Sequence, residues 1–260
     1  MAGELALSAR GVRMEYRDRA SDARLVAIEK MDLDVRDGEF VSLLGPSGCG
    51  KSTFLKIVNG LIKATAGEIR LRTNGKGRED AMVFQDAALF PWYSVMDNVA
   101  YGLVCAGVPR AEARKRAAPL IELVGLSGFE TKYPYQLSGG MQQRANLARA
   151  LAVDAAILLM DEPFASLDAQ TREIMQAELL RIWNAARKTV IFVTHQIEEA
   201  VYLSDRVVVM SARPGRILDD ITIDLPRPRG LEIKRGAEFG AYAERIWKLL
   251  TTTRMSQGTA

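Results

Sequence analysis

Five runs along the chain are apolar at nearly every position: EFVSLL (39–44), AMVFQ (81–85), AAILLM (155–160), TVIFVT (189–194) and RVVVM (206–210). A strand with one wet face alternates apolar and polar residues. Continuous runs instead predict parallel strands covered on both faces. Between them lie stretches with helical spacing, such as KSTFLKIVNGL and QTREIMQAELLRIWNAA. Strand–helix alternation predicts an α/β fold with a mostly parallel sheet. The first 40 residues differ, because LALSARGVRMEYRD and RLVAIEKMDLDVRDGE read as antiparallel strands joined by a polar turn. Residues 86–150 read as a mostly helical unit. Within it, PRAEARKRAAPLIELVGL has Pro109 suited to a first helical turn, Leu120, Ile121 and Val124 on one face, and Gly125 as C-terminal cap. EFGAYAERIWKLL (238–250) reads as a terminal helix. No internal repeat is visible, so the reading is one module with two lobes.

Composition narrows the class only slightly. Apolar residues make up 48% and charged residues 26%, which supports an ordinary packed core. The net charge of +3 gives no nucleic-acid footprint. No apolar stretch approaches the roughly 20 residues that cross a bilayer, and MAGELALSAR lacks the core of a signal peptide. A cytoplasmic chain that does not itself span a membrane is the expectation. Cys49 and Cys105 form no disulfide framework.

The chemistry sits at strand ends. GPSGCGKST comprises Gly45, Pro46, Ser47, Gly48, Cys49, Gly50, Lys51, Ser52 and Thr53, and it follows a strand and opens a helix. That is the phosphate-loop pattern in its required context. Glycines let backbone N–H groups wrap a phosphate, Lys51 reaches the β- and γ-phosphates, and Ser52 offers a hydroxyl to Mg²⁺. AAILLMDEP ends a buried strand in Asp161 and Glu162. Asp161 suits Mg²⁺, and Glu162 suits a general base or positioner for an attacking water. Gln85, at the end of AMVFQ, can touch both metal and water. His195 is the only histidine and follows TVIFVT. Its imidazole is expected to donate a hydrogen bond to a γ-phosphate. Ligands in open α/β sheets bind at carboxyl strand ends, where all of these lie. Cys49 sits near a helix N-terminus and Lys51, so a lowered thiol pKa is expected.

LSGGMQQR (137–144) places Ser138, Gly139 and Gly140 before a second helix. That is another anion-ready helix start, although one phosphate loop already cradles the triphosphate. The simplest resolution is a head-to-tail dimer of two copies with two ATP molecules between them.

Together these motifs resemble the ATP-binding cassette family: phosphate loop, Gln85, LSGGMQQR, ILLMDEP, SLD (166–168) and His195. The resemblance implies a P-loop NTPase core with an N-terminal antiparallel β subdomain and a helical subdomain carrying LSGG, the signature motif. It implies that ATP is hydrolysed with Mg²⁺ (held by Ser52, Gln85 and Asp161), that LSGG contacts ATP across a dimer, that Asp168 links the two sites and that Tyr16 stacks on adenine. The implied division is an ATPase domain at 1–230, with the helical subdomain at about 86–150, and a helical tail at 231–260. A single cassette resembles the ATPase subunit of a bacterial importer, bound peripherally at the cytoplasmic face of the inner membrane. VFQDAALFPWYSVMDNVAYGL (83–103) is similar to the segment that meets the permease, with Phe90, Pro91, Trp92 and Tyr93 at its tip. A solute-binding protein is an indirect partner, and nucleic acid is none. FPWYSVMDNV and SARPGRILDDITIDLPRPR are most similar to the nitrate, sulfonate and taurine group. Ala155 (where proline is usual), Asn146 (where a small apolar residue is commoner) and RTNGKGRED (72–80) depart from the family pattern.

Two rivals have less support. A small-molecule kinase on the same core has no use for LSGG. Cassettes that remodel DNA or ribosomes carry two cassettes or a long coiled insertion, and this chain has neither. The transported solute is not legible, because other subunits recognise it.

Overall fold

The computed structural model describes residues 4–17, 23–72, 80–153 and 155–257. In chain order the elements are β1 (Leu5–Arg17), β2 (Arg24–Arg36), β3 (Phe40–Leu44), α1 (Lys51–Val58), β4 (Ala66–Leu71), β5 (Asp80–Val83), α2 (Val95–Cys105), α3 (Arg110–Leu123) and α4 (Gly139–Ala152). They continue as β6 (Ile157–Asp161), α5 (Ala169–Ala186), β7 (Thr189–Thr194), α6 (Ile197–Leu203), β8 (Arg206–Met210), β9 (Gly215–Thr222) and α7 (Ala237–Gln257). Short 3₁₀ turns span Pro134–Gln136 and Leu231–Arg235.

The chain divides into two compact units, Met1–Arg72 with Ala186–Ala260, and Thr73–Ala185. In the first, strand order runs β4-β1-β2-β9-β8-β3-β7. β3 pairs in parallel with β7, Phe40 opposite Val190, and with β8, Val41 opposite Arg206. Every residue of β3 and β7 is buried, which is why both read as unbroken apolar runs. Phe40 and Phe192 meet at 5.8 Å between ring centroids. β1 pairs antiparallel with β2 and β4, and β9 runs antiparallel to β8 and parallel to β2. The result is the expected α/β fold with an antiparallel N-terminal edge. β4 and β9 were not visible as strands in the sequence. β4 has no buried position, only Ile69 and Leu71 being half-buried, and pairing rather than burial makes it a strand.

α6 is anchored at its C-terminal end by Arg229, which is 6% exposed. Its Nη1 donates to Val201 O (3.1 Å), Tyr202 O (3.1 Å) and Ser204 O (2.7 Å), and its Nη2 to Ile223 O and Leu225 O (3.2 Å each). A cation suits the carbonyl-rich end of a helix. Burial first, and Arg227 second, push its pKa down to about 10. Arg227 adds a bond from Nη2 to Leu203 O at 2.8 Å.

In the second unit β5 and β6 pair in parallel, Val83 opposite Met160. α2, α3 and α4 pack on one another, and Val99, Ala117, Ile121, Ala145 and Ala148 on these helices are buried. Arg114 and Arg110 of α3 hold Asp97 of α2 at 2.8 and 3.2 Å. Pro109 is the residue before α3 rather than in its first turn, and Gly125 follows the helix at φ 66°. The polar turn expected between the first two strands, most of RTNGKGRED and the last three residues lie outside the described residues. Among the described residues, no helix is long and apolar enough to cross a membrane.

Candidate functional site

The first unit holds the phosphate loop, Tyr16 and His195. The loop leaves buried β3 at Leu44 and enters α1 at Lys51. Gly48 (φ 77°) and Gly50 (φ 96°) occupy the left-handed region, which a side chain rarely tolerates. Gly50 caps α1, so the helix opens with bare backbone, and the first-turn N–H groups of a helix have no intrahelical acceptor. Lys51 is 4% exposed, and its Nζ donates to Gly45 O at 2.7 Å and Pro46 O at 3.0 Å. A buried ammonium is thus held inside the loop's curve, while Pro46, Ser52 and Thr53 are half-buried and Ser47 is exposed.

Cys49 departs from the sequence reading. It is fully buried, and burial raises its thiol pKa by more than the neighbouring Lys51 charge lowers it. Nearness to a helix N-terminus was legible in the sequence, but enclosure was not.

His195 directly follows β7 with its ring exposed. Its position is fixed locally by Thr194, whose hydroxyl donates to Glu199 of α6 and accepts from Gln196 N at 3.0 Å. Tyr16, at the end of β1 opposite Leu25, is 42% exposed.

The second unit holds Gln85, Ser138–Gly140, Asp161, Glu162 and Asp168. Asp161 ends β6 and is 4% exposed, whereas Glu162 is half-buried at φ 45°. A non-glycine residue held there stores about 1 kcal/mol of strain, a pattern that clusters at reactive positions. Asp168 precedes α5 and accepts from Thr171 N at 2.9 Å, a bond that holds its carboxyl below the usual range. Ser138 caps α4 by accepting from Met141 N at 3.3 Å, and a Cβ on Gly139 would meet nothing within 4 Å. That helix start is open on its outer side.

Gln85 is exposed and lies two residues beyond β5, which stops at Val83 rather than at the glutamine. The segment turns away because α4 captures it. Gln143 Nε2 and Asn146 Nδ2 both donate to Phe84 O, at 3.1 and 3.2 Å. Arg149 then bridges Asn146 Oδ1 and Ala88 O at 2.8 Å each, with its guanidinium 5.6 Å from the Phe90 ring centroid. Asn146 is fully buried, so the departure from an apolar residue has a structural reason.

The aromatic tip is partly covered and partly exposed. Phe90 packs on Tyr101 at 4.6 Å, while Trp92 is 66% exposed. Buried Asn98 of α2 clamps the loop, accepting from Phe90 N at 2.8 Å and donating to Phe90 O, Tyr93 O and Ser94 O at 3.0–3.1 Å. Sequence reasoning missed Asn98, Gln143 and Arg149. An asparagine within a helical apolar run was the only signal for the first.

Among the described residues, no cluster of three or more His, Cys, Asp or Glu could cage a metal. The donors expected for Mg²⁺ are a hydroxyl (Ser52), an amide oxygen (Gln85) and one buried carboxylate (Asp161). That is a hard oxygen set. It fits an ion that takes one or two carboxylates and fills its other positions with water and phosphate oxygens.

The ABC transporter family model matches residues 28–165. An uncharacterised ABC transporter ATP-binding protein of Methanocaldococcus jannaschii is 51% identical over 230 residues, covering 87% of this chain and 85% of that one. The taurine import ATP-binding protein TauB of Roseobacter denitrificans is 46% identical over 231 residues, 86% of each chain. The nitrate import ATP-binding protein NrtD of Synechocystis is 43% identical over 235 residues, 87% and 88% of the two. A dimeric ATP-binding cassette in a post-hydrolysis state with ADP and Pi superposes with a TM-score of 0.74 at 31% identity, covering 86% of this chain and 99% of that one. The chain belongs to the ABC transporter family, as an ATP-binding subunit that hydrolyses ATP.

Proposed function

We propose that this chain powers an importer of the nitrate, sulfonate and taurine group, hydrolysing MgATP at two composite sites of a homodimer while docked on a separate membrane permease. The observation that carries the reading is that one chain offers two helix starts suited to phosphate. α1 brings the wrapped loop and buried Lys51. α4 brings Ser138 and an unobstructed Gly139. One triphosphate needs only one such loop, so the second grips the nucleotide of another copy. The taurine and nitrate import relatives, similar over most of their length, support the importer class.

The chain's own groups divide the work. The amides of 45–53 and Lys51 hold the β- and γ-phosphates, and Tyr16 stacks on adenine. Glu162, kept apart from Asp161 by its left-handed backbone, accepts the proton of the attacking water. Gln85 orients that water. His195 donates to the γ-phosphate oxygens as charge grows there. Ser52, Gln85 and Asp161 would hold Mg²⁺, which would offset phosphate charge. Asp168, fixed as the cap of α5, links one site to the other. Trp92 and its neighbours meet the permease, and a solute-binding protein delivers the solute to that permease.

Light scattering with ATP and Mg²⁺ tests the sandwich. Glu162→Gln keeps shape but removes basicity, so this variant closes into a lasting dimer. Adding Ser138→Arg puts bulk and charge where phosphate must approach and returns it to monomer. A Glu162→Gln protein monomeric at saturating ATP, or a dimer that survives Ser138→Arg, refutes the arrangement.

A further inference from the structure

The stretch SARPG lies between β8 and β9, and no role in phosphate chemistry has been given to it. Its position assigns one. From Gly45 to Cys49 the phosphate loop lies against the end of β8, this turn and the start of β9. A Cβ on Gly45 would meet Met210 O at 3.0 Å, at the end of β8. Arg213 Nε donates to Gly48 O at 3.2 Å, and Arg213 Nη2 lies 3.0 Å from where a Gly48 Cβ would stand. A Cβ on Gly215 would fall 2.0 Å from Cys49 O, so only glycine lets β9 start this close. The end of β8, the turn and the start of β9 thus face Gly45, Gly48 and Cys49 in order.

The turn is rigid in its own right. Ser211, 1% exposed, donates its N–H to Arg216 O at 2.9 Å, accepts from Arg216 N at 3.1 Å, and points its hydroxyl at Pro214 O at 2.9 Å. β9 is pinned beyond it by pairing with β8 and β2. Arg213 is therefore presented from a fixed frame to a loop whose two left-handed glycines leave it little stiffness of its own. A peptide plane held by its carbonyl has its N–H direction fixed as well, because the two are locked in one trans unit. Pinning Gly48 O thereby orients the amide plane in the middle of the phosphate cradle.

We propose that the 211–215 turn is the backing wall of the phosphate loop and that Arg213 is a positioning residue that sets affinity for nucleoside di- and triphosphates. This rests on the reading of 45–53 as the ATP site. Arg213 acts through the loop and not on the γ-phosphate. ATP and ADP therefore weaken together on its removal, and turnover at saturating ATP changes less than affinity does.

The test is calorimetric titration of the full chain with ATP and with ADP, beside steady-state ATPase kinetics and thermal unfolding without nucleotide. Arg213→Ala raises both dissociation constants and the KM about fivefold or more, the size of one lost hydrogen bond. Arg213→Lys, which keeps a cationic donor, restores them to within about twofold. Arg216→Ala is the control, since that side chain reaches Glu29 at 3.8 Å and not the loop, and it binds as the parent does. Affinities unchanged within twofold in Arg213→Ala overturn the proposal. So does a fall in unfolding temperature that tracks the loss of affinity across the Ala and Lys variants, or a loss confined to kcat. Lys51→Ala separates the two claims. If it binds ATP as tightly as the parent, the ATP-site reading itself fails. If it loses ATP while Arg213→Ala does not, only the backing wall fails.

Discussion

Asn146→Leu removes a buried amide while keeping its heavy-atom count and branching, so no cavity opens and the bonds it loses are polar. Two bonds disappear. The first is the donation from Asn146 Nδ2 to Phe84 O at 3.2 Å, and that oxygen keeps Gln143 Nε2 at 3.1 Å. The cost there is near the ordinary net value of about 1 kcal/mol. The second is the bond from Arg149 Nη2 to Asn146 Oδ1 at 2.8 Å. A hydrogen bond to a charged group contributes about 1.5–3 kcal/mol. Arg149 is half-buried, and burial lowers its pKa, so the lower end applies. The sum is about 2–3 kcal/mol, or a fall in unfolding temperature of about 4–10 °C for a chain of this size. Urea unfolding of Asn146→Leu, Arg149→Met and the double variant measures the pair. A coupling energy of about 1 kcal/mol or more is expected, because each single change strands the other partner. A loss below about 0.5 kcal/mol, or additive single effects, would refute the claim that α4 holds the Gln85 segment through this pair.

Two further expectations concern exposed and buried members of the site. Cys49, enclosed and with a raised pKa, reacts with a thiol reagent at neutral pH far more slowly than exposed Cys105. It also stabilises the fold fully below the ordinary thiol value of about 8.5 and loses that contribution as pH rises through the higher folded value. Cys49→Ala flattens the alkaline limb of a stability–pH profile, and labelling of Cys49 at the rate of Cys105 refutes the enclosure. Trp92→Ala costs about 1 kcal/mol of stability or less, the size of its contacts with Phe90 and Tyr93, yet abolishes transport by the assembled complex. A large thermal loss places the ring in the core instead.

Much of the architecture could be read ahead of the coordinates because burial wrote it plainly. TVIFVT and RVVVM are β7 and β8 to the residue, since a strand covered on both faces shows as an unbroken apolar run, here bounded by Thr189, Thr194 and Arg206. GPSGCGKST was legible because left-handed backbone at Gly48 and Gly50 demands glycine. The sequence failed where a residue's meaning depends on a distant partner. Gln85 looked like a strand end, but Gln143 and Asn146, about 60 positions later, pull the chain away after Val83. Cys49 looked activated until enclosure by Gly45 and Gly215 outweighed Lys51. GRILDDIT carries three charged residues in eight positions, and only its pairing with β8 and β2 makes it β9.

The wall behind the phosphate loop also has a consequence in time. The loop is made early, at 45–53, but Arg213 and Gly215 leave the ribosome more than a hundred residues later. β3 waits equally long for its neighbours, since Val41 pairs with Ile191 and Arg206. At synthesis rates of about 5–20 residues per second, that interval is on the order of ten seconds. During it the growing chain carries the glycines and Lys51 without the frame that shapes them. On the proposal above, the loop's full affinity for nucleotide is reached only once Arg213 and β9 have been added.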